Sequence, residues 1–572
     1  MNAAMTRPFD ATGELTHCFA FLSPLLRPGA FAPNSLSNIV GLARRIRSSA
    51  SSIILELLHT LPCRCWSWRN LDFALLGSDT AMSRHLRCAA SPRPGQRHCS
   101  SAVLLIGGQT RLRLETRPRS PPYVAAPCSV GSARFSSSRT PNVEYEYIED
   151  VERLAYYRPG GYHPVTIGDR LGNRYRVIHK LGFGSYSTTW LARDEERKSL
   201  VATKVGTAES TTRELEILSA LASTKGDSET AGCGRSLIPR LLDHFKVEGP
   251  NGVHPCYVTV PARTSLSGAK DGSYVRLFSL DVARALAAQL AVAVAFTHAQ
   301  GFVHGDLHLG NILLRLPREL DSLSDDEIYD RYGAPELEPV RRLEGGALPL
   351  GVPSHGVQSV WLGKASEDVR LSEAAMLLVD FGAAFSPAHE SRCESHAPLS
   401  IRPPEARFEA GKPLSFPADI WTMACSIWTI LAQRPLFEDI LATPDNTTCE
   451  QLDVLGDLPP EWWNKWEARR QWFNEDGSPI QDRFLRSWET RFEDSVQKPR
   501  QRGRMPSIEA EERDAIVAML RPMLSFRPET RLTAGQVLRS NWMEKWALSA
   551  YEKMLAYSAV NGLSRSVGRV AY

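Results

Sequence analysis

Three short motifs, in a fixed order, constrain this chain more than any other feature. "LGFGSYSTTW" (181–190) puts Gly182 and Gly184 between two strand-like runs, and 20 residues after Gly184 an apolar strand, "LVATKVG", carries Lys204. "HGDLHLGNILL" (304–314) follows, and then "LLVDFGAAF" (377–385). Each is weak alone, because a Gly-x-Gly hairpin or an Asp-Phe-Gly triplet is common. Together they demand a chain whose strand-rich first part and helix-rich second part close on one another. The strand runs "YRVIHKLG", "STTWLARD", "LVATKVG" and "CYVTVP", with one helical stretch "STTRELEILSALAS", predict a small antiparallel sheet carrying one helix. Long helical patterns dominate after about residue 278. The expected class is α+β, with two lobes.

The residue types at these positions point to phosphate chemistry. A glycine hairpin lets backbone N–H groups approach phosphate oxygens with no Cβ in the way. The hairpin resembles the nucleotide hairpin of protein kinases, which implies a nucleotide-facing set of Leu181, Gly182, Gly184, Ser187, Thr189 and Lys204. An ammonium in an apolar strand needs a partner. Glu214 supplies one if Ile217 and Leu218 seat its helix on the sheet; otherwise Glu214 is a surface residue. Asp306 has the position of a base for an acceptor hydroxyl. Asn311 and Asp380 have the oxygens that Mg²⁺ takes beside phosphates.

The rest of the composition is ordinary. The chain has 572 residues, 43% hydrophobic and 23% charged, and a formal charge of +3, which makes no case for a nucleic-acid binder. It has no apolar run of 18 residues; "VARALAAQLAVAVAF" (282–296) reads as a buried helix. The 11 cysteines are scattered, and Cys63 and Cys65 lack metal-knuckle spacing. Free thiols in the cytoplasm or nucleus are expected. Residues 1–141 are Arg-, Ser- and Pro-rich and acid-poor, the composition of an unfolded extension. A mitochondrial transit segment has the same bias, but Asp10 and Glu14 spoil its start.

Further motifs complete a resemblance. "RPPEARF" (402–408), "ADIWTMACSIWTIL" (418–431) and "LSFRPETRLTAGQVL" (524–538) follow the phosphate motifs, and the whole set resembles the eukaryotic protein kinase superfamily over about 170–546. "GGYHPVTIGDRLGNRYRVIHKLGFGSYSTTWLARD" (160–194) resembles the entry segment of the SR-protein kinases, which phosphorylate serines in Arg-Ser-rich splicing factors. "HGDLHLGNILL" and "LDVLGDLPPEWWNKWEARRQWF" look like their divergent filamentous-fungal branch. The resemblance implies a bilobal kinase fold, MgATP as donor, a Ser/Thr protein substrate and a monomer without membrane or nucleic-acid partners. It divides the chain into a lead segment (142–174), a small lobe (175–262), a large lobe (263–546) with an insert at 316–374, and a tail (547–572). It also implies a buried Glu405–Arg531 pair and a hinge for adenine in 256–262.

Two departures bear on activity. Gly305 replaces the Arg that reads activation-loop phosphate in ordinary kinases, and 380–405 is short, so control by loop phosphorylation is not expected. His308 stands where a Lys usually stabilises the transferring phosphoryl group; a neutral imidazole donates one hydrogen bond but no fixed charge. His308 and Thr189 leave a nucleotide-binding pseudokinase open, and His-Gly-Asp-Leu-His is also the style of small-molecule phosphotransferases. The insert, acidic and helix-prone, reads as packing on the large lobe or as a docking surface for basic substrates. Trp462, Trp463, Trp466 and Trp472 read as core.

Overall fold

The computed structural model describes residues 144–223, 234–438, 440, 442–480 and 486–560. The extension expected over 1–141, with Cys63 and Cys65, lies outside the described residues, as does 561–572. Cys256, Cys393 and Cys425 are free thiols.

The small lobe is a six-stranded antiparallel sheet: β1 (Arg170–Leu171), β2 (Tyr175–Gly184), β3 (Ser187–Asp194), β4 (Ser199–Gly206), β5 (Leu241–Gly249) and β6 (Gly252–Thr259), in the order β1-β2-β3-β4-β6-β5. Two of these, β1 and β5, escape the sequence reading. β1 is two residues long, and β5 is a half-exposed edge strand with no apolar run to betray it. The helix α1 (Arg213–Ser223) buries Ile217, Leu218 and Leu221, as its spacing requires. Those residues join the main core of the molecule.

Strand alternation makes this sheet apolar on both faces. Val177, Trp190 and Val201 point one way, and Ile178, Leu191 and Leu200 the other, on the side that carries Lys204. Both faces need cover, and the insert provides it. Leu320 and Leu362, with Ile328 of the capped helix that follows Ser324, pack on Ile178, Leu191 and Leu200. Arg193 and Arg176 reach Asp325 at 3.0 and 2.7 Å. The expectation that the insert packs on the large lobe holds for its last part, where Val369 and Ala374 join the main core; Leu320, Ile328 and Leu362 cover the sheet instead.

The chain crosses to the large lobe at Val260–Pro261. β7 (Ala262–Ser265) pairs with β8 (Ile312–Arg315). The 20-residue helix α2 (Leu280–Ala299) is five residues longer than the apolar run seen in the sequence. Its length and composition would suffice to cross a membrane, yet 78% of its most apolar window is buried inside the protein. Alanines 283, 285, 287, 288, 291 and 293 are fully buried and let neighbours approach closely. Within the insert lie α3 (Asp325–Tyr332), β9 (Leu337–Pro339) and β10 (His355–Val357); then come β11 (Met376–Leu378), α4 (Phe416–Leu431), α5 (Ala510–Met523) and α6 (Leu548–Val560). β11 pairs with β8. α6 packs on α2 and buries Leu548, Ala550, Tyr551 and Met554 in the main core. The boundary expected at 546–547 falls at the start of this helix, so 547–560 is lobe rather than tail. Trp462 and Trp466 are buried, with Trp463 and Trp472 partly so, in a satellite core with Phe408, Phe473 and Phe526.

Candidate active site

Lys204 projects from β4, whose partner β6 sets Tyr257 beside it. Its Nζ donates to Glu214 Oε2 at 2.6 Å and lies 3.6 Å from Asp380 Oδ1. It also sits 5.6 Å from the Tyr257 ring centroid. Burial alone would lower its pKa. Tyr257, Glu214 and Asp380 outweigh that and hold it well above the ordinary lysine value. Glu214 Oε1 in turn accepts the backbone N–H of Phe381 at 3.3 Å. One carboxylate thus ties the small-lobe lysine to the start of the segment after Asp380. Tyr257 escapes the sequence reading, because a tyrosine in a strand reads as ordinary core.

The second half of the site is built on β8 and β11. Leu378 pairs with Ile312, and Val379 N–H donates to Asn311 O at 2.9 Å, so Asn311 and Asp380 emerge side by side. Asn311 Nδ2 donates to Asp306 O at 2.9 Å and to Asp306 Oδ2 at 3.4 Å. An amide fixed this way presents its oxygen, the atom a hard cation takes. Asp380 is left-handed at φ 64°, with its side chain 48% exposed. Burial would raise its pKa, but Lys204 and His304 hold it below the usual aspartate value. An ionised carboxylate beside an amide oxygen fits Mg²⁺. Asp306, Asn311 and Asp380 therefore share a cleft with Lys204.

The loop carrying Asp306 is anchored from below. Asp419, at the head of α4, accepts His304 N–H at 2.7 Å and Gly305 N–H at 3.0 Å, and His298 Nε2 lies 3.0 Å away. Burial opposes charge on this carboxylate; His298, His304 and the Gly305 N–H hold its pKa below the ordinary value. The sequence reading left Asp419 without a role. An acidic residue in the first turn of a buried helix was its only signal. Gly305 has φ +79°, and a Cβ there would lie 2.8 Å from Ala383 O. His308 Nδ1 accepts Gly310 N–H at 3.0 Å. Its neutral tautomer therefore carries the proton on Nε2, which is 3.7 Å from Asp306 Oδ1. Burial lowers the His308 pKa, only partly countered by Asp306.

Over the cleft, Gly184 pairs with Ser187, Gly182 with Thr189, and Thr189 with Lys204. A Cβ added at Gly182 or Gly184 would meet nothing within 4 Å. These glycines relieve no internal clash; they leave open space beneath bare backbone. Leu181 is half-buried against the cluster shared with the insert.

No family model matches the chain. It is 25% identical over 405 residues to a serine/threonine protein kinase of Aspergillus fumigatus, covering 69% of this chain and 90% of that one. The serine/threonine-protein kinase SRPK of Physarum polycephalum is 27% identical over 404 residues, 68% and 90% of the two chains. Human SRSF protein kinase 3 is 34% identical over 173 residues, 29% and 30%. A solved kinase domain aligns with 67% of this chain and 98% of its own at 16% identity, with a TM-score of 0.44. This chain is a relative of the serine/threonine protein kinases. SR-protein kinases stand among those relatives.

In this kinase relative the segment after Asp380 is held by hydrogen bonds and ion pairs within the chain. Val303 and Phe385 exchange backbone hydrogen bonds at 2.8 and 3.0 Å. Arg213, next to Glu214, donates to Ala384 O at 2.7 Å and also pairs with Glu390. Arg392 donates to Glu390 at 2.6 Å and to Ala383 O at 3.1 Å. Glu390 thus bridges α1 to the segment through two guanidinium groups. Burial would raise its pKa, and the two arginines lower it. Phosphatase treatment is expected to leave the transfer rate unchanged. Glu390→Gln is expected to lower kcat/KM about 3- to 10-fold, as two charge-assisted hydrogen bonds weaken. Steady-state kinetics on treated and untreated protein check both.

Proposed function

We propose that this chain is an ATP-dependent serine/threonine kinase acting on Arg-Ser-rich protein substrates. The observation that carries the reading is the convergence of Asp306, Asn311 and Asp380 on one cleft with the Glu214-paired Lys204. Lys204 binds the α- and β-phosphates, and the hairpin 181–189 covers them. Asn311 and Asp380 hold Mg²⁺, which when bound spreads the charge of the β- and γ-phosphates. Asp306 orients the substrate hydroxyl and takes its proton as the new P–O bond forms and the bond to the leaving ADP breaks. The family's basic substrates and the cytoplasm or nucleus as place of action belong to the same proposal. Localising the chain with and without residues 1–141 tests the latter.

His308 takes the place of the usual lysine as a single neutral donor. His308→Ala is expected to cost about 10²-fold in kcat with little change in KM for ATP. His308→Gln, which retains one N–H, is expected to keep most of the rate. Equal rates for all three would remove His308 from the chemistry.

The experiment for the whole reading is phosphate transfer from radiolabelled ATP to an Arg-Ser peptide, a generic basic protein, or no acceptor. Label on the peptide is the expected result. Tight MgATP binding with transfer to no acceptor would make the chain a nucleotide-binding scaffold.

A further inference from the structure

The glycine hairpin is gripped from outside the small lobe. Tyr162, 4% exposed, donates its O–H to the carbonyl of Gly184, the second glycine, at 2.7 Å. Its ring packs in a satellite core made by the lead segment (Val151, Leu154, Tyr157) and the insert (Val340, Val352). Its own carbonyl accepts Asn251 Nδ2 at 2.7 Å, and the same Nδ2 donates to Gly351 O of the insert at 2.7 Å. The two glycines before Tyr162 follow from this fit: Gly160 has φ +86°, and a Cβ on Gly161 would collide with Tyr156 O. They let the segment lie against 208–209, where Ala208 and Glu209 N–H groups bond Gly161 O and Gly160 O at 3.0 and 2.8 Å.

Four residues back along β2 a second grip holds the root of the hairpin. Lys180 is fully buried, pairs with Glu152 of the lead segment and donates to Val357 O of β10 at 2.9 Å. Tyr157 donates to the same Glu152. Val360 N–H bonds Lys180 O at 2.8 Å, so the insert closes the edge of β2 that β1 leaves open. A glycine hairpin is otherwise free to rise and fall, because its backbone has few packing partners.

We propose that the lead segment and the insert form a clasp that sets the height of the glycine hairpin above the nucleotide, with Tyr162 as the positioning residue at its tip. The clasp acts on nucleotide binding and rests on the kinase reading only for its effect on turnover. Tyr162→Phe removes one oxygen and keeps the ring in its core. The full chain and this variant are titrated with the Mg²⁺ complex of a non-hydrolysable ATP analogue by calorimetry. Tyr156→Phe, a half-exposed neighbour, serves as the control. The expected result is a 3- to 10-fold weaker Kd for Tyr162→Phe, roughly the net worth of one hydrogen bond. The melting temperature and the control should stay unchanged. In transfer assays KM for ATP rises by the same factor and kcat holds. An unchanged Kd, or a lowered melting temperature with an unchanged Kd, overturns the clasp and leaves the kinase reading standing. Weaker binding by Tyr162→Phe, beside a wild type that transfers no phosphate, supports the clasp and removes the kinase. A wild type that binds no nucleotide overturns both.

Discussion

Asp306→Ala is expected to lower kcat by about 10²- to 10⁴-fold while MgATP affinity stays within about 2-fold. Nothing holds Asp306 to the nucleotide side of the cleft: its main chain and one oxygen take the Asn311 amide, and Oδ1 is buried with no hydrogen-bond partner. That oxygen is the one His308 Nε2 approaches. Removing the carboxylate deletes the proton acceptor and leaves Lys204, Glu214 and Asp380 paired. Acidity gives a second readout. Burial raises the Asp306 pKa, and the nearby histidines only partly counter it. A base must be unprotonated to act, so a raised pKa moves the loss of activity to a higher pH than an ordinary aspartate would show. A pH–rate profile of wild type should fall on the acid side for this reason. Wild-type turnover by Asp306→Ala would end its role as base.

Arg531→Met is expected to destabilise the large lobe by about 3–5 kcal/mol, because it strands Glu405 in the core. The guanidinium spans Glu405 bidentately at 2.7 and 2.6 Å and also bonds Ser525 O, Phe526 O and Pro417 O. It lies 5.0 Å from the Trp421 ring centroid, with its side chain fully buried. Every face of the arginine is thereby used. Glu405→Gln in the Arg531→Met background should recover part of the loss, since it removes the stranded charge. Denaturant unfolding of the two variants and wild type measures this. A cost under about 1 kcal/mol for Arg531→Met would mean that water reaches Glu405.

Much of the site is legible in the chain because its parts sit on short motifs with fixed internal spacing. The hairpin glycines, Lys204, and the five-residue step from Asp306 to Asn311 depend on local geometry, which a strand or a tight loop imposes wherever it occurs. The Glu214 pairing was also within reach, since a buried charge must find an opposite one; the Glu405–Arg531 pair followed only from the resemblance to the kinases. Tyr257, Asp419 and the Glu390 bridge were not. Each acts through a partner far away in sequence, and a tyrosine in a strand or an acid at a helix start has many ordinary explanations.

The insert and the flanking segments mark the limit most clearly. Apolar residues at 320, 328 and 362 announce that something must be covered, and a sheet apolar on both faces needs such cover, but burial has no direction. The sequence by itself determined that Lys204, Glu214, Asp306, Asn311 and Asp380 are the candidate site residues, and in what order the lobes are built. Only the tertiary structure decided that Leu320, Ile328 and Leu362 of the insert cover the sheet, that Leu548, Ala550, Tyr551 and Met554 belong to the core, and that Tyr162 reaches the hairpin. Such contacts rest on packing between remote segments, where many partners satisfy the same hydrophobic demand and shape alone selects one.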